Sequence, residues 1–414
     1  MVMAIANASE NELYPHILPS LLPLLQHGGL KPLQIGQKQL LPIVQGGMGV
    51  GVSAHSLAGT VAACGGIGTI ASVDLRHLHP DLAAQTRRAR GETGKAQIEA
   101  ANQEALRREI RVARILSQGR GMIAVNVMKA LSAYQDYVAT ALEEGADALV
   151  VGAGLPLDLP DLAADYPNIA LIPILSDARG VKIILKKWAR ANRLPAAIVI
   201  EHPGYAGGHL GAASVSDLHD ARFDFEIVIP ETLAVLRELG LEDQVPIIAG
   251  GGIRTHGDIQ RMQSLGAAAA QLGTAFAVTA EGDASLAFKE ILAGAREQDM
   301  VEFISVAGLP ARAVKTPWLA HYLEKVEKLQ ARAKEKARCI KSFDCLAHCG
   351  LRDGNGKVGQ FCIDHQLTLA YQGEGNKGLF FRGVGDLPFG NQIRSVRELI
   401  TTLLSSDPDL CLQS

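Results

Sequence analysis

The stretch Glu201–Gly211, EHPGYAGGHLG, puts one carboxylate, two histidines and four glycines into eleven residues, directly after an apolar run, Ala196–Ile200. Histidine is the side chain most readily used for proton transfer near neutral pH. Glycines let a backbone approach a ligand closely. His209, preceded by Gly207 and Gly208, is therefore a candidate catalytic group aimed at a flat or anionic ligand. His202 is its rival within the same segment, with less glycine around it. Taken alone, the segment is equally compatible with a tight turn carrying a solvated histidine.

Other glycine clusters share the same context. QGGMGVG begins at Gln45, GGGI spans Gly250–Ile253, and GTAF spans Gly273–Phe276, each immediately after a short apolar run. The runs Ile43–Gln45, Ile67–Ile70, Met122–Val127, Ala148–Val151, Ala170–Ile174, Ala197–Ile200, Pro246–Ala249 and Ala269–Leu272 lack polar alternation. That pattern fits parallel strands covered on both faces. Helical periodicity lies between most of them, as in Leu131–Glu144, Val181–Ala191 and Glu231–Leu239, with Gly145, Gly240 and Gly266 as stop signals. Eight such units predict an α/β fold, a (β/α)8 TIM barrel, with a doubly wound open sheet as the alternative. In a barrel, glycine-rich loops after strands all lie on one face. The last two form the pair that commonly cradles a phosphate with backbone N–H groups.

The chain of 414 residues, 48% hydrophobic and only 5% aromatic, can bury a large core with close helix–strand packing. The expected organisation is an N-terminal extension over 1–32, a barrel over 33–316 with a helical insertion at 74–119 after the second strand, and a C-terminal extension over 317–414 packing on the barrel. A solvated helix is expected over His321–Arg338.

The segment from Val245 to Phe276, VPIIAGGGIRTHGDIQRMQSLGAAAAQLGTAF, resembles the phosphate-binding half of FMN barrels of the nitronate monooxygenase (2-nitropropane dioxygenase-like) family. PIVQGGMGVGVSAHSLAGTVAACGGIGTIAS resembles that family's opening, AVNVM its third strand, and EHPGYAGGHLG its sixth-strand loop, in which the histidine faces the isoalloxazine. The resemblance implies FMN as cofactor. It places Gly46, Gly47 and Met48 beside the flavin ring and Asn126 at its polar edge. Gln271 would touch the ring or the ribityl chain, and Gly208, Gly251, Gly252, Gly273 and Thr274 would surround ribityl and phosphate. His209 is the implied catalytic residue. The inserted HPGY is a departure from many relatives. The implied activity is oxidation of alkyl nitronates with O2. The same scaffold serves NAD(P)H-dependent reductases of quinones and enoyl thioesters, and a flavin-binding scaffold without turnover is the non-enzymatic alternative. A nitronate is the anionic conjugate base of a C–H acid, and a positioned imidazole can orient it or accept a proton; a carbonyl gaining charge could use the same group.

The remaining features bound the function. Net charge is −3, so no basic field argues for nucleic acid or an anionic membrane. No signal-peptide pattern and no run of about 18 apolar residues occurs, so a cytoplasmic protein acting on a small molecule is expected, with a homo-oligomer left open. Cys339, Cys345, Cys349 and Cys362 have neither zinc nor ferredoxin spacing, and no metal is expected there. His55, His77, His79 and His256 are expected to be solvated or capping residues, and Ser53 to be a helix N-cap.

Overall fold

The computed structural model describes residues 13–335, 339 and 343–405. Eight parallel strands close into a barrel: β1 (Ile43–Gln45), β2 (Ile67–Ala71), β3 (Met122–Met128), β4 (Ala148–Gly152), β5 (Ala170–Leu175), β6 (Ile198–Glu201), β7 (Ile247–Gly250) and β8 (Ala269–Leu272). Closure is direct, since β8 pairs with β1 and β6 with β7. Each strand lies within about a residue of its apolar run, because strands buried on both faces need Val, Ile and Ala without alternation. The open-sheet alternative is thereby excluded.

The barrel interior holds small and branched side chains, including Val44, Ala124, Val150, Ile172, Val199 and Ile248. The antiparallel hairpin Leu33–Ile35 with Lys38–Leu40 packs Leu33, Ile35 and Leu40 onto this same cluster. These side chains plug the end of the barrel opposite the glycine loops. Helices His55–Cys64, Tyr134–Glu143, Ala178–Ala189, Phe225–Glu238 and His256–Leu265 form the outer layer. Gly145, Gly240 and Gly266 take left-handed backbone conformations at or just past the ends of three helices.

After β2 come a short helix, Pro80–Thr86, and a long one, Gly91–Ser117. The long helix also carries the chain across to β3. After β8 the alternation gives way to helix Leu286–Gly294 and an antiparallel pair, β9 (Met300–Ile304) and β10 (Pro310–Val314). The predicted His321–Arg338 helix runs instead over Pro317–Ala331, starting at the proline where Thr316 caps it; residues 336–338 lie outside the described residues. The terminal helix Val396–Leu404 returns to the barrel wall. Its end lies so close to Gly28 that a β-carbon there would fall 1.9 Å from the Leu404 carbonyl oxygen.

Two expectations about local roles need correction. Ser53 is not the cap of helix His55–Cys64. Its hydroxyl accepts a hydrogen bond from the Met48 amide (2.8 Å) and closes the glycine loop, while the Asp283 carboxylate accepts from the amides of Ala54, Ser56 and Leu57 at the helix start. The histidines are not solvated caps either. His55 Nδ1 and His79 Nε2 flank the buried Glu109 carboxylate at 2.7 and 2.9 Å, and His77 Nε2 lies 2.9 Å from Asp74. His256 is buried, with Nδ1 3.2 Å from the Leu403 carbonyl oxygen.

Burial opposes the charge on Glu109, yet the hydrogen bonds from His55 and His79 outweigh it and hold the carboxyl down at about 2. An unfolded Glu109 would titrate near its ordinary 4.5, so the unfolded chain binds more protons between those values. The stability this carboxylate contributes is therefore complete above about pH 4.5 and lost as pH falls toward 2. Glu109→Gln is expected to lower stability at pH 7 by about 3–5 kcal/mol, as for one partner removed from a buried pair. It should also make acid unfolding shallower over that window. Denaturant unfolding at stepped pH measures both, and an acid profile unchanged from the parent would remove Glu109 from this role.

Candidate active site

Two connected cavities open at the C-terminal ends of the strands, the face on which barrel sites are built. The smaller is lined by Gly46, Gly251, Gly252, Arg254, Tyr205 and Gly383, among others. The larger contains Asn126, Gly208 and His209 and has mostly apolar walls. Gly47, Met48, Glu201, Gln271, Gly273 and Thr274 line both. His209 and every cofactor-contact residue nominated from sequence thus border one cavity or the other. His202 borders neither.

His209 stands on a two-residue strand, Gly208–His209, that pairs antiparallel with β10 through Ala311 and Arg312. Its Nε2 lies 3.1 Å from the Ser305 hydroxyl, at the turn between β9 and β10. The Phe381 ring stands 5.5 Å away, tilted by 59°. Burial pushes the imidazole down to about 4, so it is neutral at pH 7 and offers one donor and one acceptor nitrogen. His202 lies beneath the loop. Its Nδ1 accepts from the Gly204 amide (3.0 Å), and its ring lies 4.2 Å from the Tyr205 ring, tilted by 36°, and meets Phe225 edge-on. The HPGY segment therefore has an internal anchor in His202.

The buried Arg312 holds the same loop from below. Its guanidinium donates to the carbonyls of Pro203 (3.1 Å) and Ala206 and to the Glu302 carboxylate. Asn126 donates through Nδ2 to the Val150 carbonyl (3.0 Å), which orients its other amide atom, Oδ1, toward Gly47. Glu201, the last residue of β6, borders both cavities, and burial alone raises its carboxyl to about 7.

A strap from the C-terminal part, Leu379–Gly385, crosses the mouth of the barrel. Phe381 faces His209, the Gly383 amide donates to Thr274 Oγ1 (3.1 Å), and the Val384 amide donates to the Tyr205 carbonyl (3.1 Å). The strap runs so close to the sixth-strand loop that a β-carbon at Gly207 would fall 2.3 Å from the Arg382 carbonyl carbon. Beyond it, the Gly385 backbone abuts the Arg254 guanidinium.

Sequence reasoning left Glu201, Ser305, Arg312 and the strap without roles. Glu201 carried a usable signal, because it ends a barrel strand on the functional face. Ser305 and Phe381 carried none, since each meets His209 only through a distant part of the chain. Cys64, Cys345 and Cys349 are free thiols, and Cys345 borders the larger cavity. Cys411 lies outside the described residues. Among the described residues no group of three or more His, Cys, Asp or Glu side chains is arranged to hold a metal ion, and no helix is long and apolar enough to cross a membrane.

Comparison with known proteins adds sequence to this geometry. The nitronate monooxygenase of Pseudomonas aeruginosa is 35% identical over 109 residues, 26% of this chain and 29% of that protein. The chain spans about a third of the length of the curated relatives it matches. FabK from Thermotoga maritima superposes with a TM-score of 0.60 over 93% of this chain and 94% of that one, at 20% identity. The nitroalkane oxidase of Streptomyces ansochromogenes gives 0.58 over 87% and 94%, at 17% identity. At such identities the likeness is one of fold. The family model for nitronate monooxygenase matches residues 34–406, a span that takes in the barrel, the sheet behind His209 and the strap, and the chain belongs to that family.

Proposed function

We propose that the protein is an FMN-dependent oxidoreductase that oxidises alkyl nitronates with O2, with His209 as its catalytic residue. The observation that carries this reading is a neutral imidazole, braced by Ser305 and Phe381, in a cavity continuous with a glycine-lined one. Bound FMN would supply the electron transfer from substrate and the reaction with O2.

The residues fit that cofactor. Gly251 and Gly252 turn with left-handed φ of +102° and +74°, Thr274 offers a hydroxyl, and Arg254 offers a cation, all at one end. A terminal phosphate suits that end. The strap borders the cavity there, with Gly385 against the Arg254 guanidinium, and the FMN reading places its single phosphate at that end. Asn126 Oδ1 would accept from the ring's polar edge. Gly46, Gly47 and Met48 would lie along the ring, with Gln271 and Glu201 where the polyhydroxyl chain runs. Gly208 and Gly273 keep the approach to the connecting chain free of side chains.

His209 can act on a nitronate in two ways. Its N–H can hold an anionic oxygen, and the anion in turn raises the imidazole from about 4, favouring proton uptake as substrate binds. Phe381 and the apolar walls exclude water, which strengthens both interactions.

Anaerobic stopped-flow tests the assignment. The flavin-loaded protein is mixed separately with ethyl nitronate, NADH and NADPH while flavin absorbance is followed. Bleaching by the nitronate without a nicotinamide is the expected outcome. Bleaching by NADH or NADPH alone would overturn it in favour of a reductase of quinones or enoyl thioesters.

A further inference from the structure

His209 and Ser305 share one hydrogen bond, and the surroundings of the serine decide which way it runs. Ser305 directly follows β9 and is 0% exposed. Its backbone is tied at both ends: the amide donates to the Leu309 carbonyl (2.9 Å), and the carbonyl accepts from the amides of Gly308 (3.1 Å) and Gly359 (3.0 Å). The side chain therefore springs from a fixed point. A serine hydroxyl has one donor and two acceptor sites. Here Oγ accepts from the Ala307 amide (3.3 Å) and lies 3.1 Å from His209 Nε2, with no other partner among the described residues.

Two arrangements compete. If Nε2 carried the ring proton, Oγ would accept twice and its own O–H would be a buried donor without an acceptor. Leaving such a donor unmet costs more than a typical hydrogen bond gains. If Ser305 donates to Nε2 instead, every polar atom here is satisfied and the ring proton of the neutral imidazole sits on Nδ1. Nδ1 has no partner among the described residues, and His209 borders the larger cavity. His202, in the same loop, is held the opposite way. Its Nδ1 accepts from the Gly204 amide, and its Nε2 faces the Asp224 carboxylate at 3.4 Å.

We propose that Ser305 is a positioning residue that holds His209 as its Nδ1–H tautomer, so that the imidazole meets its ligand as a hydrogen-bond donor. The inference rests on the reading of His209 given above and specifies what that group offers. Ser305 borders neither cavity, so it acts through His209. An anionic oxygen entering the cavity finds the N–H already in place, with no tautomer exchange needed on binding. A proton taken up as the anion binds arrives at Nε2, where the Ser305 hydroxyl can turn to accept, and the Nδ1–H contact survives it.

Proton–nitrogen correlation spectra of the flavin-loaded protein carrying isotope-labelled histidine test this, because the two tautomers give different patterns. At pH 7, His209 is expected as Nδ1–H and His202 as Nε2–H, each identified by its loss in His209→Asn or His202→Ala. In Ser305→Ala the His209 pattern should gain Nε2–H while that of His202 stays as it was. A merely structural serine would move neither. Flavin reduction by ethyl nitronate should slow about two- to tenfold in Ser305→Ala, the net worth of one hydrogen bond. An Nε2–H pattern for His209 in the parent, a pattern unmoved by Ser305→Ala, or an unchanged rate despite a shifted pattern would each overturn the proposal. The expected tautomers with no flavin reduction by the nitronate would overturn the nitronate reading and leave the role of Ser305 standing. Reduction by the nitronate with His209 as Nε2–H would do the reverse.

Discussion

His209→Ala is expected to leave flavin bound and the barrel folded while slowing flavin reduction by about 100- to 10,000-fold, the usual contribution of a general acid–base group. The barrel should survive because His209 stands on a two-residue strand outside it, braced by Ser305 and Phe381. His209→Asn separates its two roles, since asparagine keeps a donor but takes no proton at neutral pH. The pH profile supplies a second discriminator. The free imidazole titrates near 4, so kcat/KM falls below about pH 4 if His209 must accept a proton and persists there if it only orients the anion. His202→Ala should cost less than about tenfold in rate and show mainly as lost stability, because His202 pins the loop and borders neither cavity. An essential His202 with a dispensable His209 would reverse the assignment.

Gly251→Asp is expected to abolish flavin retention. The backbone at Gly251 has φ +102°, which a side chain rarely tolerates, and a β-carbon would fall 3.0 Å from the His202 carbonyl oxygen. The larger effect is charge. Two unit charges about 4 Å apart at an effective dielectric of about 20 repel by roughly 4 kcal/mol, close to a thousandfold in affinity. Thr274→Glu carries the same charge to the same cavity from a position with ordinary backbone, so a shared loss separates repulsion from strain. The readouts are flavin-to-protein absorbance after gel filtration and the thermal transition of the apoprotein. Undiminished FMN binding by both folded variants would remove this end of the cavity as the phosphate site.

The barrel was legible because both-face burial leaves a local trace: eight apolar runs with glycine after the strands that border the cavities. The cavity-lining residues were legible for the same reason, each sitting within a few residues of a strand end. What stayed hidden depends on contacts between distant parts of the chain. Ser53 reads locally as a cap, but Asp283 reaches the helix start first and leaves Ser53 to tie the glycine loop. His55 and His79 read as surface polar residues until the Gly91–Ser117 helix delivers Glu109 between them. The sequence favoured His209 over His202 only through its neighbouring glycines; that His209 borders a cavity and His202 does not depends on Arg312, Ser305 and Phe381, which lie far along the chain. None of these contacts has a periodicity to betray it.

The Leu379–Gly385 strap also orders events in time. Synthesis completes the barrel and its glycine loops before the residues that roof them leave the ribosome. The site therefore lacks its outer wall during that interval and gains it when Gly383 docks on Thr274 and Val384 on Tyr205. In the finished protein those two contacts tie the roof to the loops after the sixth and eighth strands, so the site's outer wall depends on a part of the chain made after the barrel.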